Sequence, residues 1–215
     1  MNTRKKKTWV KVLRFVVLAF YLLLVVLPIY WMIVTSFKTN AEIINTQTIT
    51  YWPKVFTLEN YKGLFQTMHY GTYLKNSLIV TLSTAVVVTF LSIYGGYGMA
   101  RFKFKGKTAA HVFFLVTQMI PSILVIIPLY VMFAKFNLID TYVSLFVFYT
   151  ITNLPFCAIT MRSFFERIPY ALEESAYVDG CSRGQTLWKI VMPVMFPGIV
   201  AVFVFAFIGA WNELI

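Results

Sequence analysis

The sequence predicts an all-α integral membrane protein, a polytopic bundle of membrane-crossing helices. Three observations predict it: an apolar composition, five long apolar runs, and positive charge confined to alternate connections between them. Of the 215 residues, 59% are hydrophobic and 13% are charged, and the mean hydropathy is +0.73. An ordinary soluble domain carries about 25% charged residues. A soluble fold of this size has too little interior to hide so much apolar surface, so lipid must solvate part of the chain.

The apolar runs are residues 15–34, 78–100, 109–133, 142–161 and 198–215. Each is close to the roughly 20 residues that cross about 30 Å of hydrocarbon at about 1.5 Å per residue. Pro28, Pro121, Pro128 and Pro155 fall inside them. The carbonyls that these prolines free must be met by neighbouring helices or water, which favours a packed bundle over separate anchors. The first run follows a basic start, as in a signal peptide. It is too long for a signal h-region and no small-residue cleavage site follows it, so it is expected to stay as an anchor.

The net charge of +11 and pI near 9.7 raise the question of nucleic acid. Distribution answers it: the cations sit in short clusters between apolar runs and form no continuous basic face, so no nucleic-acid partner is expected. Arg4, Lys5, Lys6, Lys7, Lys11 and Arg14 lie in the tail 1–14. Arg101, Lys103, Lys105 and Lys107 follow the second run, and Arg162, Arg167, Arg183 and Lys189 follow the fourth. Those connections hold 14 of the 19 Lys and Arg residues, against 5 on the opposite side. The positive-inside rule then predicts a cytoplasmic N-terminus and a cytoplasmic 162–191 loop.

The segment 35–77 is the sizeable outer connection. Within it Thr57, with Asn60 at the third helical position, predicts the start of a short helix near the outer interface. Cys157 and Cys181 have no disulfide or metal spacing and are expected to be free thiols. His69 and His111 fall on opposite sides of the membrane by this topology, so no metal site is expected. The chain stops at Ile215 inside an apolar run, and a sixth span is expected to be missing.

The connection 162–197 is the least ordinary part of the sequence. Pro169 suits a first helical turn and Gly180 suits the position just after a helix end. Glu173 and Glu174 fall where acids complement the helix dipole. On a wheel, Ala171, Leu172, Ser175, Ala176, Val178 and Asp179 share a mostly small side, with Glu173, Glu174 and Tyr177 on the other. Ser182 followed by Gln185 matches a capping box for a second helix. Leu187, Ile190, Val191 and Val194 supply its apolar face, and Pro193 and Pro197 are expected to end or kink it before the fifth run. Helix, glycine turn and helix together predict a rigid knob at the cytoplasmic surface.

Glu174-Ser175-Ala176, three residues, Gly180, nine residues, Ile190, one residue and Met192-Pro193 closely resemble the EAA signature of ABC-importer permeases. That signature has Ala where Ser175 stands and Leu where Met192 stands, both close in size. The resemblance continues in Ser36-Phe37-Lys38, Thr57-Leu58-Glu59-Asn60-Tyr61, Asn76-Ser77, Ala100–Gly106 and Trp211-Asn212-Glu213. These stretches are similar to carbohydrate-uptake permeases, nearest the G-like subunit of maltose permeases. The resemblance implies a fold of the type I ABC-importer permease kind, with five spans visible. The domains it implies are the tail 1–14, a first span 15–34, the extracytoplasmic loop 35–77 and a permease core 78–215. The core takes in the runs 78–100, 109–133 and 142–161, the coupling loop 162–197 and a fifth span 198–215.

The resemblance further implies a non-catalytic subunit of the bacterial plasma (inner) membrane. Its partners would be a second, F-like permease, two copies of an ATPase and an extracytoplasmic sugar-binding protein. ATP and Mg would be bound by the ATPase, and no Gly-x-x-x-x-Gly-Lys-Ser/Thr phosphate loop is present here. Glu174, Ser175, Ala176, Asp179, Gly180, Ile190 and Pro193 would be the ATPase-coupling residues. A polar cargo needs polar groups inside the bundle, and Gln118, Asn153, Asn212 and Glu213 are the candidates, each able instead to bond a neighbouring helix. The cargo is expected to be a sugar or oligosaccharide. The alternative is another solute of the same superfamily, such as a glycerol phosphate, polyamine or amino acid. An intramembrane enzyme would need paired acids or a Ser/His constellation within the spans, which the sequence lacks.

Overall fold

The computed structural model describes residues 3–45 and 47–213, and those residues form helices and connections with no strand among them. Contacts divide the chain into two units, residues 1–73 and 74–215.

In the first unit, α1 (Thr3–Ser36) is a single helix of 34 residues, longer than the expected 15–34 span. Its membrane-compatible stretch, Trp9–Ser36, has a mean hydropathy of 2.7 and buries none of its most apolar window. Apolar residues all round its surface leave lipid as their solvent. Beyond it the chain folds back on residues 36–38. Asn60 Nδ2 donates to the carbonyls of Ser36 (3.0 Å) and Lys38 (2.8 Å). Lys38 is buried, donates to the Thr50 carbonyl and lies 4.6 Å from the centre of the Trp31 ring. The short helices are α2 (Asn40–Ile44) and α3 (Glu59–Gln66). Thr57 does not cap α3 in the expected way. Leu58 occupies the cap, the Thr57 hydroxyl accepts from the Glu59 N–H at 3.1 Å, and Asn60 is committed to the chain reversal.

In the second unit, α4 (Tyr70–Arg101), α7 (Tyr142–Glu166) and the helical run Arg183–Trp211 are each long and apolar enough to span a membrane. The expected span 109–133 is instead two helices, α5 (Lys107–Thr117) and α6 (Ser122–Lys135), bent by 97°. Pro121 explains the break: its ring bars Ile120 from helical geometry and its nitrogen donates nothing. Counted as one bent span, this pair is the fifth.

The core lies between α4, α7 and the Arg183–Trp211 run. Ala85, Val88 and Tyr97 meet Cys157, Met161 and Phe165, and Leu187, Val191, Met195, Val202 and Ala206 close the cluster. Cys157 is buried here as a free thiol, and Cys181 is also free. Gly96 allows the closest approach: a Cβ there would lie 2.8 Å from the Arg162 nitrogen. Its neighbours Gly95 and Gly98 face open space and serve no such contact.

The second loop helix and the fifth span are continuous. The run consists of α9 (Arg183–Gln185), a π segment (Thr186–Val191) and α10 (Met192–Trp211). Pro193 and Pro197 therefore do not end it. Met192 N–H donates to the Leu187 carbonyl five residues back, and this widened turn takes in the Pro193 ring without a clash against the preceding turn. The wider turn also rotates the buried face. Leu187, Val191 and Met195 are buried, while Val194, expected on that face, is 55% exposed.

Candidate coupling loop and membrane path

α7 ends at Glu166, and after a bend through Ile168 and Pro169 the chain enters α8 (Ala171–Val178). The Pro169 carbonyl accepts from the Leu172 N–H at 3.2 Å, so Pro169 contributes to the first turn from just outside the helix. At the other end Gly180 has φ +83°, which only glycine adopts without strain. Cys181 N–H donates to the Ala176 carbonyl (2.9 Å) and Gly180 N–H to Tyr177 (3.1 Å). These two bonds are a Schellman closure of α8. The capping box then opens the next run: Gln185 N–H donates to Ser182 Oγ, and Ser182 N–H donates to Gln185 Oε1 at 2.8 Å.

The two faces of α8 differ from those the wheel suggests. Glu173 and Ala176 are buried, whereas Glu174, Ser175, Val178, Asp179 and Gly180 are exposed. Ala176 therefore belongs with Glu173 on the inner face, and Glu174 joins the small residues outside. One residue of helical rotation, about 100°, separates Glu173 from Glu174 and decides which carboxylate is buried. The Ser175 hydroxyl turns back to the Ala171 carbonyl at 2.9 Å, so this serine presents little more than alanine would. Ile190 is half-buried and Pro193 exposed.

Glu173 is fully buried and held on three sides. Arg101 Nε donates to Oε1 at 2.5 Å, Tyr97 hydroxyl to Oε2 at 2.8 Å, and Tyr177 hydroxyl to Oε2 at 3.4 Å. The same guanidinium donates to the Ile168 carbonyl at 2.9 Å. Arg101 thus fastens the last turn of α4 to both the entry and the inner face of α8. A charge buried this deeply stands only when it is paired and hydrogen-bonded. Sequence reasoning gives Glu173, Arg101 and Tyr97 no joint role. A signal for one exists: Tyr97 and Arg101 are spaced i, i+4 at a span end, and Glu173 and Tyr177 repeat that spacing in the loop.

No hydrogen bond links the four path candidates to one another among the described residues. Asn153 Nδ2 donates to the Tyr149 carbonyl (2.8 Å), and its side chain lies against Gly209 of α10. Gln118 caps α5 at the bend and donates to the Phe114 carbonyl at 3.3 Å. Asn212 is the C-cap of α10, and Glu213 lies past the helix end instead of inside a span.

Spanning helices around a packed core, carrying a capped knob at one end, define a polytopic membrane protein of the transport-permease class. The chain belongs to the family of binding-protein-dependent transport system inner membrane components, whose model matches residues 92–215. It is 37% identical to the diacetylchitobiose uptake system permease protein DasC of Streptomyces coelicolor, over 88% of this chain and 68% of the relative. It is 32% identical to the sulfoquinovosyl glycerol transport system permease protein SmoH of Agrobacterium fabrum, over 95% and 72%. A solved bacterial ABC transporter involved in the import of the acidic polysaccharide alginate has the same fold. It superposes with a TM-score of 0.80 at 21% identity, covering 99% of this chain and 74% of that one.

Proposed function

We propose that this chain is a membrane-spanning half of an ATP-driven importer for a carbohydrate. It docks its ATPase through the 169–193 loop. The observation that carries the reading is α8 itself: a short helix closed by Gly180, rooted inward on Glu173, with Glu174, Ser175, Val178 and Asp179 presented outward. A surface of small residues with two outward acids, Glu174 and Asp179, suits insertion into a cleft bearing a cation. The N-terminus and this loop are cytoplasmic, as the charge bias favours.

The cargo reading draws on the uptake permeases this chain resembles, whose named cargoes are carbohydrates. An extracytoplasmic binding protein delivers the cargo, and a second permease completes the pathway. The test has two arms. A Val178→Cys variant is cross-linked to the ATPase subunit in membranes, and Glu174→Lys is scored for ATPase copurification. Cross-linking through the thiol of the Val178→Cys variant and reduced copurification with Glu174→Lys are expected; neither appearing refutes docking at this loop. Uptake of labelled disaccharides, glycerol phosphate and polyamines is then compared between the parent and a deletion strain, and loss of a non-carbohydrate's uptake alone overturns the sugar reading.

A further inference from the structure

Between the end of α4 and the inner side of α8 lies a cleft of about 290 Å³ that the coupling reading does not use. Arg101, Phe102, Lys103, Tyr170, Glu173 and Arg183 line it, with the rings of Tyr97 and Tyr177 behind. Three cations face one carboxylate, and that carboxylate is consumed by Arg101 and Tyr97. Among the described residues neither Lys103 nor Arg183 has a carboxylate oxygen within salt-bridge distance. Arg183 is held in place by the Phe102 ring, 5.2 Å from its guanidinium carbon. The cleft therefore carries about two uncompensated positive charges, on the exposed side chains of Lys103 and Arg183, with Tyr170 among its lining residues.

One face of α4 leads from the spanning region to this cleft. Phe90, Tyr94 and Arg101 fall within about 40° of each other on the helix. Phe90 and Tyr94 are in contact at 5.0 Å, Tyr94 meets Trp188 at 6.2 Å, and all three rings are about half exposed. Aromatic rings along the second half of this spanning helix, with cations at its end, match the chemistry of a phospholipid: acyl chain along the rings, headgroup against the charges.

We infer that this cleft binds the phosphate of an anionic phospholipid, with Lys103 and Arg183 as its charge-matching residues and Phe90, Tyr94 and Trp188 receiving the acyl chain. The bound headgroup sits behind α8, on the side opposite the exposed docking face. Lipid composition thereby sets how firmly α8 is seated. Assignment to the inner leaflet rests on the orientation proposed above; the binding itself does not.

The test uses the purified chain in nanodiscs of phosphatidylcholine with and without phosphatidylglycerol, with retained lipid counted by native mass spectrometry. Phosphatidylglycerol is expected to be retained preferentially. The Lys103→Gln/Arg183→Gln variant should retain it about 30-fold less, roughly a factor of five for each cation. Lys105→Gln/Lys107→Gln removes the same charge from residues outside the cleft and should bind like the parent. Equal losses in both variants overturn the site in favour of diffuse attraction, and unchanged retention in the first variant overturns it outright. Phe102→Leu, which keeps every charge, should give a partial loss, and no loss counts against the pocket. Inorganic phosphate or glycerol 3-phosphate displacing the lipid at millimolar concentration would assign the cleft to a soluble phosphate instead. Labelling of Val178→Cys by an impermeant maleimide in intact cells reports the orientation separately.

Discussion

Replacing Arg101 with Met removes one half of a buried pair and strands the other. The Glu173 carboxylate has no exposure of its own, and Arg101 is only 11% exposed, so solvent cannot substitute for the lost cation. Breaking a buried pair from one side costs about 3–5 kcal/mol. Tyr97 and Tyr177 remain as donors to Glu173, which places the expected cost nearer the lower figure. The loss falls on the seating of α8 more than on the bundle core, because the guanidinium also anchors the Ile168 carbonyl at the loop entry. Hydrogen exchange at the α8 closure, read at the Gly180 and Cys181 amides, reports it directly. At about 1.4 kcal/mol per factor of ten, exchange there should accelerate by at least about 100-fold. Glu173→Gln keeps an acceptor for Tyr97 but strands the Arg101 cation and turns an amide N–H2 toward one of the two donors, so it should cost about as much, roughly 3 kcal/mol. The double variant Arg101→Met/Glu173→Met leaves no stranded charge and should recover most of the protection. If the double variant exchanges as fast as Arg101→Met, or if Arg101→Met matches the parent, the pair does not hold α8.

Gly96→Ala places a methyl group 2.8 Å from the Arg162 nitrogen, so α4 and α7 must part at a cost of about 1–3 kcal/mol. Thermal unfolding in detergent should show the loss, and Gly95→Ala, which meets open space, should show none. Gly180→Ala meets no atom within 4 Å yet must hold φ +83°, costing roughly 1–2 kcal/mol through the backbone alone. Its α8 amides should exchange faster while the bundle melts at an unchanged temperature. In the first unit, the Thr50 hydroxyl bonding to Glu42 holds that carboxyl below its ordinary value of 4.5, with help from the Lys54 N–H and nearby Lys38. A depressed carboxylate contributes stability above its unfolded value and loses it as pH falls through the folded one. Trp52 fluorescence should therefore be constant at neutral pH and change only below the usual carboxylate range, and Glu42→Gln should abolish that transition.

Much of the loop was legible because its signals are local. Gly180 as the helix stop and Ser182 with Gln185 as the next cap depend on residues within a few positions of each other, and the structure has both. The faces of α8 were not legible: a wheel groups Glu173 with Glu174 because it cannot know which direction is inward. Arg101, some seventy positions upstream, supplies that direction. The break at Pro121 was visible as a proline, but its 97° angle was not, since a proline fixes one residue's geometry and leaves the rest to packing. Pro193 and Pro197 mislead in the opposite way, for a π turn takes in the first ring and the helix runs on.

Composition and spacing by themselves determined that this chain lives in lipid and that its helices cross it several times, and the residues of one connection resemble the EAA signature of ABC-importer permeases. Those properties follow from the cost of exposing apolar groups to water and from short-range backbone geometry, both of which are written in order along the chain. Only the tertiary structure decided which of two adjacent glutamates is buried, which of three neighbouring glycines lets two helices touch, and where two cations, without a carboxylate partner among the described residues, share a cleft with tyrosines. Each of those depends on what a distant segment brings to the same place, and a linear sequence does not say which segments meet.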